Sequence, residues 1–581
     1  MGLTNEVQAG PENGVDESTA LNIASNGSPT GRHSSYGTIT KAQTPAPPDI
    51  TKDLEENDPE RLLLPPQPGA KDGSVKGTTS IWGVISVLLL GEFIANADTT
   101  LVFASAGKIS SEFASFQDAN WLSTAYTLGV CVAQPVYGKL SDIYGRKPLL
   151  LLAYAFFALG SLICGLGREM WQVILGRAIS GIGGAGTITV AAVIIADLVP
   201  KREIAAWRAY VNISMTLGRS LGGPTGGWLT DTFGWRWVFL IQAPLFCITA
   251  LLVILKLHIE PPQPLSPIDS PDQTITSKSK LKRVDFLGIL CLATAIVSAI
   301  LLLDLGGQKF PWLSLQTLLL STTGTIFLIL FILVEAYIAP EPIFSLRILR
   351  QPNVPASYAV MSLQIFSQVS MMFCVPLYFQ VTSRASATAA GAHLVPAIAG
   401  NAAGGLVAGT IIRRTGRYKP LAVSAGLIAS ITYTLLLFRW NGDTNVWESL
   451  YIIPGGFGTG IAQACVFVSM TALLEPKDIA MATGGLFLFS NFGITGGITA
   501  SSAALESEFR RQLERRLTVP GAEEIIRRAT SDAHYIAGLR GRVREVVVAC
   551  YVAGLKHTYS ISLAGSLTAS LIALTLRSHQ L

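Results

Sequence analysis

The stretch "GEFIANADTT" (91–100) sets two carboxylates, Glu92 and Asp98, inside an apolar run from Ile81 to Phe103. An ionised carboxylate in hydrocarbon is expensive, so acids there need either a partner or a task. Two arginines in equally apolar surroundings, Arg177 and Arg219, are the candidate partners. Asp98 lies about five residues before the run ends, which is ~7 Å at ~1.5 Å per helical residue. Arg177 lies about six residues into a run that enters from the same side, at similar depth. A guanidinium facing Asp98 would keep it ionised, and opening that site to water or cargo would change its proton affinity. Proton coupling through Asp98, Glu92, Arg177 and Arg219 is one reading; a static buried pair that fixes helix packing is the other. Glu92 stands six residues from Asp98, about 600° of helical rotation, so the two acids face different ways. Glu92 suits cationic cargo, a second proton, or polar packing.

The elements that carry these groups follow from composition. The 581 residues are 50% hydrophobic and only 14% charged, against roughly 25% charged in soluble domains. Apolar runs at 81–104, 119–138, 148–167, 171–196, 205–229, 237–258, 285–305, 313–336, 354–379, 388–412, 420–438, 449–474, 480–503 and 559–577 are each long enough to cross ~30 Å of hydrocarbon. The expected fold class is an all-α polytopic membrane protein. Residues 1–79 read as a disordered cytosolic tail rich in Pro, Gly, Ser and acids, with no cleavable signal peptide.

The formal charge of +5 sits in short loops between the runs, which points to topology and away from nucleic acid. "GKLSDIYGRK", "PKRE" and "RRTGRYK" are rich in Lys and Arg, while the alternate loops "GREM", "TDTFGWR" and "FRWNGD" are poor. An even number of spans then places both termini in the cytosol. Seven cysteines (131, 164, 247, 291, 374, 465, 550) include no CxxC pair, so neither disulfides nor a metal site is expected.

An internal repeat joins "GKLSDIYGRKP" (138–148) to "GTIIRRTGRYKP" (409–420); each has Gly seven residues before a Gly-Arg pair. The repeat implies six-helix bundles at 80–258 and 337–581, a linker at 259–284 and an inserted helix pair at 285–336. The segment 504–558 reads as a long outward loop containing amphipathic helix.

Four motifs resemble the major facilitator superfamily, and within it the fourteen-helix drug:proton antiporters with their fungal vacuolar amino-acid transporter relatives. They are "GKLSDIYGRKP", "ADTTLV" (97–102), "LGRAISGIGGA" (175–185) and "GRSLGGPTGG" (218–227). The last has one residue, Thr225, between Pro224 and the Gly pair, where the family usually has two. The resemblance implies two pseudo-symmetric six-helix halves plus two inserted helices, and an antiporter motif at Gly218, Gly222, Gly223, Pro224, Gly226 and Gly227. It also implies a proton-coupled secondary transporter that exports small amphiphilic or cationic compounds, drugs or toxins from the cytosol. The alternative is vacuolar uptake of basic amino acids by proton exchange.

Gly138, Asp142, Gly145, Arg146 and Lys147, with Gly416 and Arg417 in the second loop, make a candidate conformational gate. Gly138 would permit close helix contact, Gly145 would supply a positive φ, and Asp142 can pair with Arg146. Plain topological charge would explain the cations too. "GIGGAG" (181–186) has no preceding strand and reads as helix packing, and no Walker A pattern occurs. Candidate cavity residues are Gln134, Tyr137, Asn212, Gln364, Gln368, Phe373, Tyr378 and Asn491, any of which could instead be packing contacts. "DPERLL", with Asp58, Leu62 and Leu63, fits an acidic dileucine sorting pattern, and "YGTI" (36–39) a tyrosine-based one. No convergent nucleophile set is present, so an enzyme is not expected. The expected partners are a small-molecule solute, protons and the bilayer, without a cofactor, for a monomer in the plasma membrane or, alternatively, the vacuolar membrane.

Overall fold

Apolar runs of this length fold as helices because hydrocarbon offers no partners to backbone N–H and C=O groups. In the computed structural model the described residues are 81–113, 118, 120–257, 283–306, 310–311, 313–339, 341–517, 522–531 and 533–579. The tail 1–79, with Asp58, Leu62 and Leu63, and all but the last two residues of the linker 259–284 lie outside them.

The long helices are α1 Ile81–Glu112, α2 Trp121–Tyr144, α3 Arg146–Leu166, α4 Met170–Leu198 and α5 Lys201–Thr232. The near-continuous α6 covers Trp235–Lys256. Two more, α7 Phe286–Leu305 and α8 Leu315–Tyr337, precede α9 Val354–Thr382, α10 Val395–Thr415, α11 Lys419–Arg439, α12 Ile453–Ala472, α13 Pro476–Arg516 and α14 Gly541–Ala573. Among the described residues twelve helices are long and apolar enough to cross a membrane. The other two, α2 and α5, have 24 and 32 residues but are more polar. Their glycine and amide positions face neighbouring helices.

Packing pairs recur eight helices apart. In the first half α1 packs on α5, α2 and α3 on α4, and α3 on α6; in the second, α9 packs on α13, α10 and α11 on α12, and α11 on α14. The halves meet through α2 with α13 and α5 with α10, contacts that exchange under the same relation. The repeated loops lie at these two seams. A Cβ on Gly138 would strike the Ala480 carbonyl of α13, and one on Gly409 would strike the Ala206 backbone of α5. Gly145 and Gly416 both take positive φ, 94° and 66°, where a side chain would be strained. We term this end of the bundle the basic end.

The intervening α7 and α8 pack on each other, and α7 also touches α2 and α13. Thr124 of α2 donates to Asp304 of α7 at 2.7 Å, and Thr499 of α13 donates to the Leu303 carbonyl at 3.0 Å. At the basic end Glu341, in the loop after α8, accepts from Lys139 of α2 at 3.0 Å and from Arg283 at 2.5 Å. Burial alone would raise the Glu341 carboxyl, but the hydrogen bonds from Arg283 and Lys139 hold it below its ordinary value.

The helices after residue 503 run further than the sequence reading expected. Leu505, Phe509 and Leu513, four residues apart, are buried against Val547, Cys550, Tyr551 and Leu555; the Phe509 and Tyr551 rings lie 5.0 Å apart. This stripe carries α13 to Arg516 and starts α14 at Gly541, with short helices Ala522–Ser531 and Ala533–Gly538 between them. At 41 residues, α13 is about 60 Å long, roughly twice the hydrocarbon thickness.

Close approach of α1 and α5 rests on Gly218, Gly222 and Gly226, whose missing Cβ atoms leave room for the backbone at Phe93, Ala97 and Leu101. The single-residue Pro-Thr-Gly spacing preserves this four-residue stripe. Gly223 has no atom within 4 Å of a Cβ position. Gly222→Ala should therefore destabilise the purified protein by about 1–3 kcal/mol, read as a lower unfolding temperature, while Gly223→Ala should not. Because the Glu341 carboxyl is depressed, its contribution is full above the ordinary carboxylate range and lost as pH falls through the folded value. Glu341→Gln should flatten the acid side of the stability–pH curve, measured by thermal unfolding.

Candidate functional site

Asp98 and Arg177 meet in the interior of the first half. Arg177 Nη1 donates to Asp98 Oδ2 at 2.6 Å, and Gln242 Nε2 of α6 donates to Oδ1 at 3.0 Å. Arg177 Nε reaches the Leu122 carbonyl at 3.0 Å, and its guanidinium lies 4.4 Å from the Tyr126 ring centroid. Asp98 is 0% exposed and Arg177 1%. Both charges are thus desolvated but hydrogen-bonded, the condition under which a buried pair persists. The glycines of "GIGGAG" make this possible: Gly181 and Gly184 admit Tyr126, and Gly183 admits the Ala153–Phe157 turn of α3.

Glu92 points elsewhere. It is 0% exposed; Asn96 Nδ2 donates to its carbonyl at 2.8 Å and to its Oε2 at 3.4 Å. Arg219, which is exposed, donates from Nε to Asn96 Oδ1 at 3.0 Å. Arg219 therefore joins Glu92 through Asn96 and does not join Asp98. A second cation, Arg208 of α5, acts electrostatically on Glu92 together with Arg219. Sequence reasoning passed over Arg208 because it follows the basic loop "PKRE" and looks like topological charge. Its guanidinium lies 4.8 Å from the Phe467 ring of α12 and 5.4 Å from the Phe487 ring of α13.

Amides link the halves beside these charges. Asn491 of α13 donates to Gln134 of α2 at 2.9 Å. Asn212 of α5 donates to Asn401 of α10, whose amide reaches Gln368 of α9 at 3.4 Å. The remaining candidates lie elsewhere. Gln364 is enclosed within the second half by Thr459 and Ser566, and Tyr137 packs over Gly186 with its hydroxyl unpartnered. Phe373 is partly buried at the second half's aromatic cluster. Tyr378 lies against Trp440 at 4.6 Å between centroids and accepts from Gly442 N at 3.0 Å. Asn401, Asn96 and Gln242 were the amides missed; each looks like one more polar residue in a span until its helix rotation is known.

At the basic end, Arg146 pairs with Asp142 at 2.5 Å and with Asp197 of α4 at 3.0 Å. Lys147 reaches the Ile254 carbonyl at 2.9 Å, and the Arg417 amide donates to Thr415 Oγ1 at 3.2 Å. Cross-half ties lie here too: Lys201 to the Ala472 carbonyl at 3.0 Å and Arg413 to Glu203 at 3.2 Å. Towards the opposite end Arg219, on the α5 face that carries Asn212, is exposed, a Cβ on Gly223 would meet no atom within 4 Å, and α1 and α9 form no packed pair. The halves are closed together at the basic end and part towards the other.

The sequence profile of the Major Facilitator Superfamily matches residues 88–498. The multidrug resistance protein fnx1 of Schizosaccharomyces pombe is 30% identical over 485 residues, covering 83% of this chain and 89% of that one. The vacuolar membrane amino acid uptake transporter fnx2 of the same yeast is 29% identical over 516 residues, covering 89% and 86%. The solved structure of the human organic anion transporter MFSD10 aligns with a TM-score of 0.54 at 14% identity, covering 84% of this chain and 99% of that one. That likeness concerns the fold alone.

Removing one member of the Asp98–Arg177 pair strands the other. Arg177→Leu should cost about 3–5 kcal/mol of stability, whereas Asp98→Asn combined with Arg177→Gln should recover most of it. A double-mutant cycle on thermal unfolding of the purified protein checks this.

Proposed function

Because this chain belongs to the Major Facilitator Superfamily, a family of transporters, we propose that it is a proton-coupled antiporter moving small amphiphilic or cationic compounds out of the cytosol. The observation that carries the reading is Glu92: a fully buried carboxylate linked through Asn96 to an exposed guanidinium, Arg219. Water entering from the open end meets Arg219 first. Protonating Glu92 neutralises the charge beneath it, weakens its hold on a bound cation and releases that cation on the open side. Asp98, already gripped by Arg177 and Gln242, is the second proton acceptor, reached when these helices shift.

The proposed orientation puts the basic end in the cytosol, as its Lys- and Arg-rich loops demand. The described conformation is then closed to the cytosol and open outward. Asp142, Arg146, Gly145, Lys147, Gly416 and Arg417 act as the gate, and Gly138 and Gly409 as the contact surfaces that separate when it opens. The antiporter motif holds α5 on α1, so Arg219 keeps its place over Glu92 through the movement. The protein acts as a monomer in this reading, since each half supplies its own share of the site.

The 29% identity to a vacuolar amino acid uptake transporter favours a second reading, sequestration of basic amino acids into the vacuole. Its direction across the membrane is topologically the same. Tagging the protein in its host and comparing toxicant tolerance and lysine or arginine storage with a deletion strain separates the two.

Glu92→Gln tests the coupling. Proton and cargo linkage in one protein commonly amounts to about 5- to 150-fold. Accumulation driven by a pH gradient in proteoliposomes should fall by such a factor, and the variant's remaining cargo affinity should no longer change with pH. Asp98→Asn should alter the pH dependence of transport. Unchanged pH dependence in both variants would remove these acids from the mechanism.

A further inference from the structure

Opposite charges in the first half are treated in two different ways. Asp98 and Arg177 close on each other at 2.6 Å. Glu92 and Arg208 lie on the packed helices α1 and α5, yet neither enters an ion pair among the described residues. Glu92 Oε1 and Arg208 Nη1 are both buried without a hydrogen-bond partner. A buried carboxylate oxygen and a buried guanidinium N–H, each unmet, are costly unless a further group completes them.

The geometry of α5 adds a constraint on that group. Arg208, Asn212, Met215 and Arg219 follow each other at steps of four, three and four residues, which is one face of a helix. Both guanidiniums therefore share the face that bears Asn212, the residue that reaches across to Asn401. The site holds two cations for one carboxylate. A cationic head alone answers only Glu92 Oε1 and an anionic head alone only Arg208 Nη1, the two unmet groups. Two rings of the other half, Phe467 and Phe487, lie over Arg208 and offer apolar walls to whatever lies beside it.

We propose that Glu92 and Arg208 form a two-headed subsite for a ligand carrying an ammonium and a carboxylate close together, an amino-acid-like zwitterion. The ammonium donates to Glu92 and the carboxylate accepts from Arg208, with the ligand's apolar part against Phe467 and Phe487. The role of this subsite as the cargo site rests on the transporter reading above, and within it narrows the cargo to compounds that bear a carboxylate beside their cationic group. Parting of the basic end would carry the two rings away with the other half and uncover Arg208.

The test uses the purified full chain in lipid nanodiscs and isothermal titration. The probes are L-lysine, lysine methyl ester and cadaverine, then L-phenylalanine, its methyl ester and phenethylamine. At least one free acid should bind, and its ester and decarboxylated amine should bind roughly ten- to a hundredfold more weakly, the worth of a charge-assisted hydrogen bond. Arg208→Gln, eluting as a single species like the wild type, should lose this discrimination, and Arg208→Lys should restore part of it. Esters and amines that bind as well as the acids would overturn the proposal. So would a panel in which no acid binds, or discrimination intact in Arg208→Gln.

A parallel assay follows transport into proteoliposomes, with and without a pH gradient, of whichever probes bind, acids, esters or amines. Gradient-driven transport without carboxylate discrimination rejects the zwitterion subsite and leaves the antiporter standing. Discrimination together with transport indifferent to the gradient keeps the subsite and rejects the antiporter.

Discussion

A charge taken out of water has to be answered by another charge or by a well-placed dipole, and the first six-helix bundle is organised around that demand. Asp98, Arg177, Gln242, Tyr126 and the Leu122 carbonyl form one closed answer, with both carboxylate oxygens of Asp98, two donors of the guanidinium and one of its faces occupied. The helices can come close enough for it only because small residues line α4 and α5. Glycines at 181, 183 and 184 admit Tyr126 and α3, and glycines at 218, 222 and 226 admit α1. The glycine-rich motifs and the buried ion pair are two parts of one solution. Beside it lies the group around Glu92, where Glu92 Oε1 and Arg208 Nη1 are left without a hydrogen-bond partner.

Much of this was legible in the sequence, and the parts that were not share a physical cause. Depth along a span can be counted in residues, so Asp98 and Arg177 could be placed at one level and they do meet. Rotation about the helix axis is harder to count across fourteen elements. Arg219 was grouped with Asp98 and instead reaches Asn96, and Tyr378 was placed at a cavity and instead packs on Trp440. Arg208 escaped notice because its significance lies in Phe467 and Phe487, more than 250 positions away in the chain. The segment after residue 503 read as loop because its charges dominate the composition. The buried stripe Leu505, Phe509 and Leu513 shows only when alternate faces are considered separately.

The inserted helices α7 and α8 have a place that composition alone would not assign. With little of its surface buried, α8 faces outward, as an apolar helix in lipid does. The hydroxyls of Thr124 and Thr499 tie α7 to α2 in one half and α13 in the other. It therefore lies along one of the two seams on which the halves meet. Glu341 fixes the basic end of the pair to α2 through Lys139, and Ser345 N donates to Met481 Sδ of α13 at 3.0 Å, so the insertion is fastened to both halves.

Gly138 and Gly409 face backbone of the opposite half at the two seams. Surfaces without side chains have no knobs to unlock, so the specific ties there are polar ones, Asn491 to Gln134 at one seam and Asn212 to Asn401 and Arg413 to Glu203 at the other. Because the two seams exchange under the repeat, neither half is stator or rotor. In the proposed transport cycle the two seams would serve as a matched pair of smooth pivots, and a side chain added at either would strike backbone. Duplication of an ancestral bundle would have delivered such a matched pair in a single event, with the bearing already balanced.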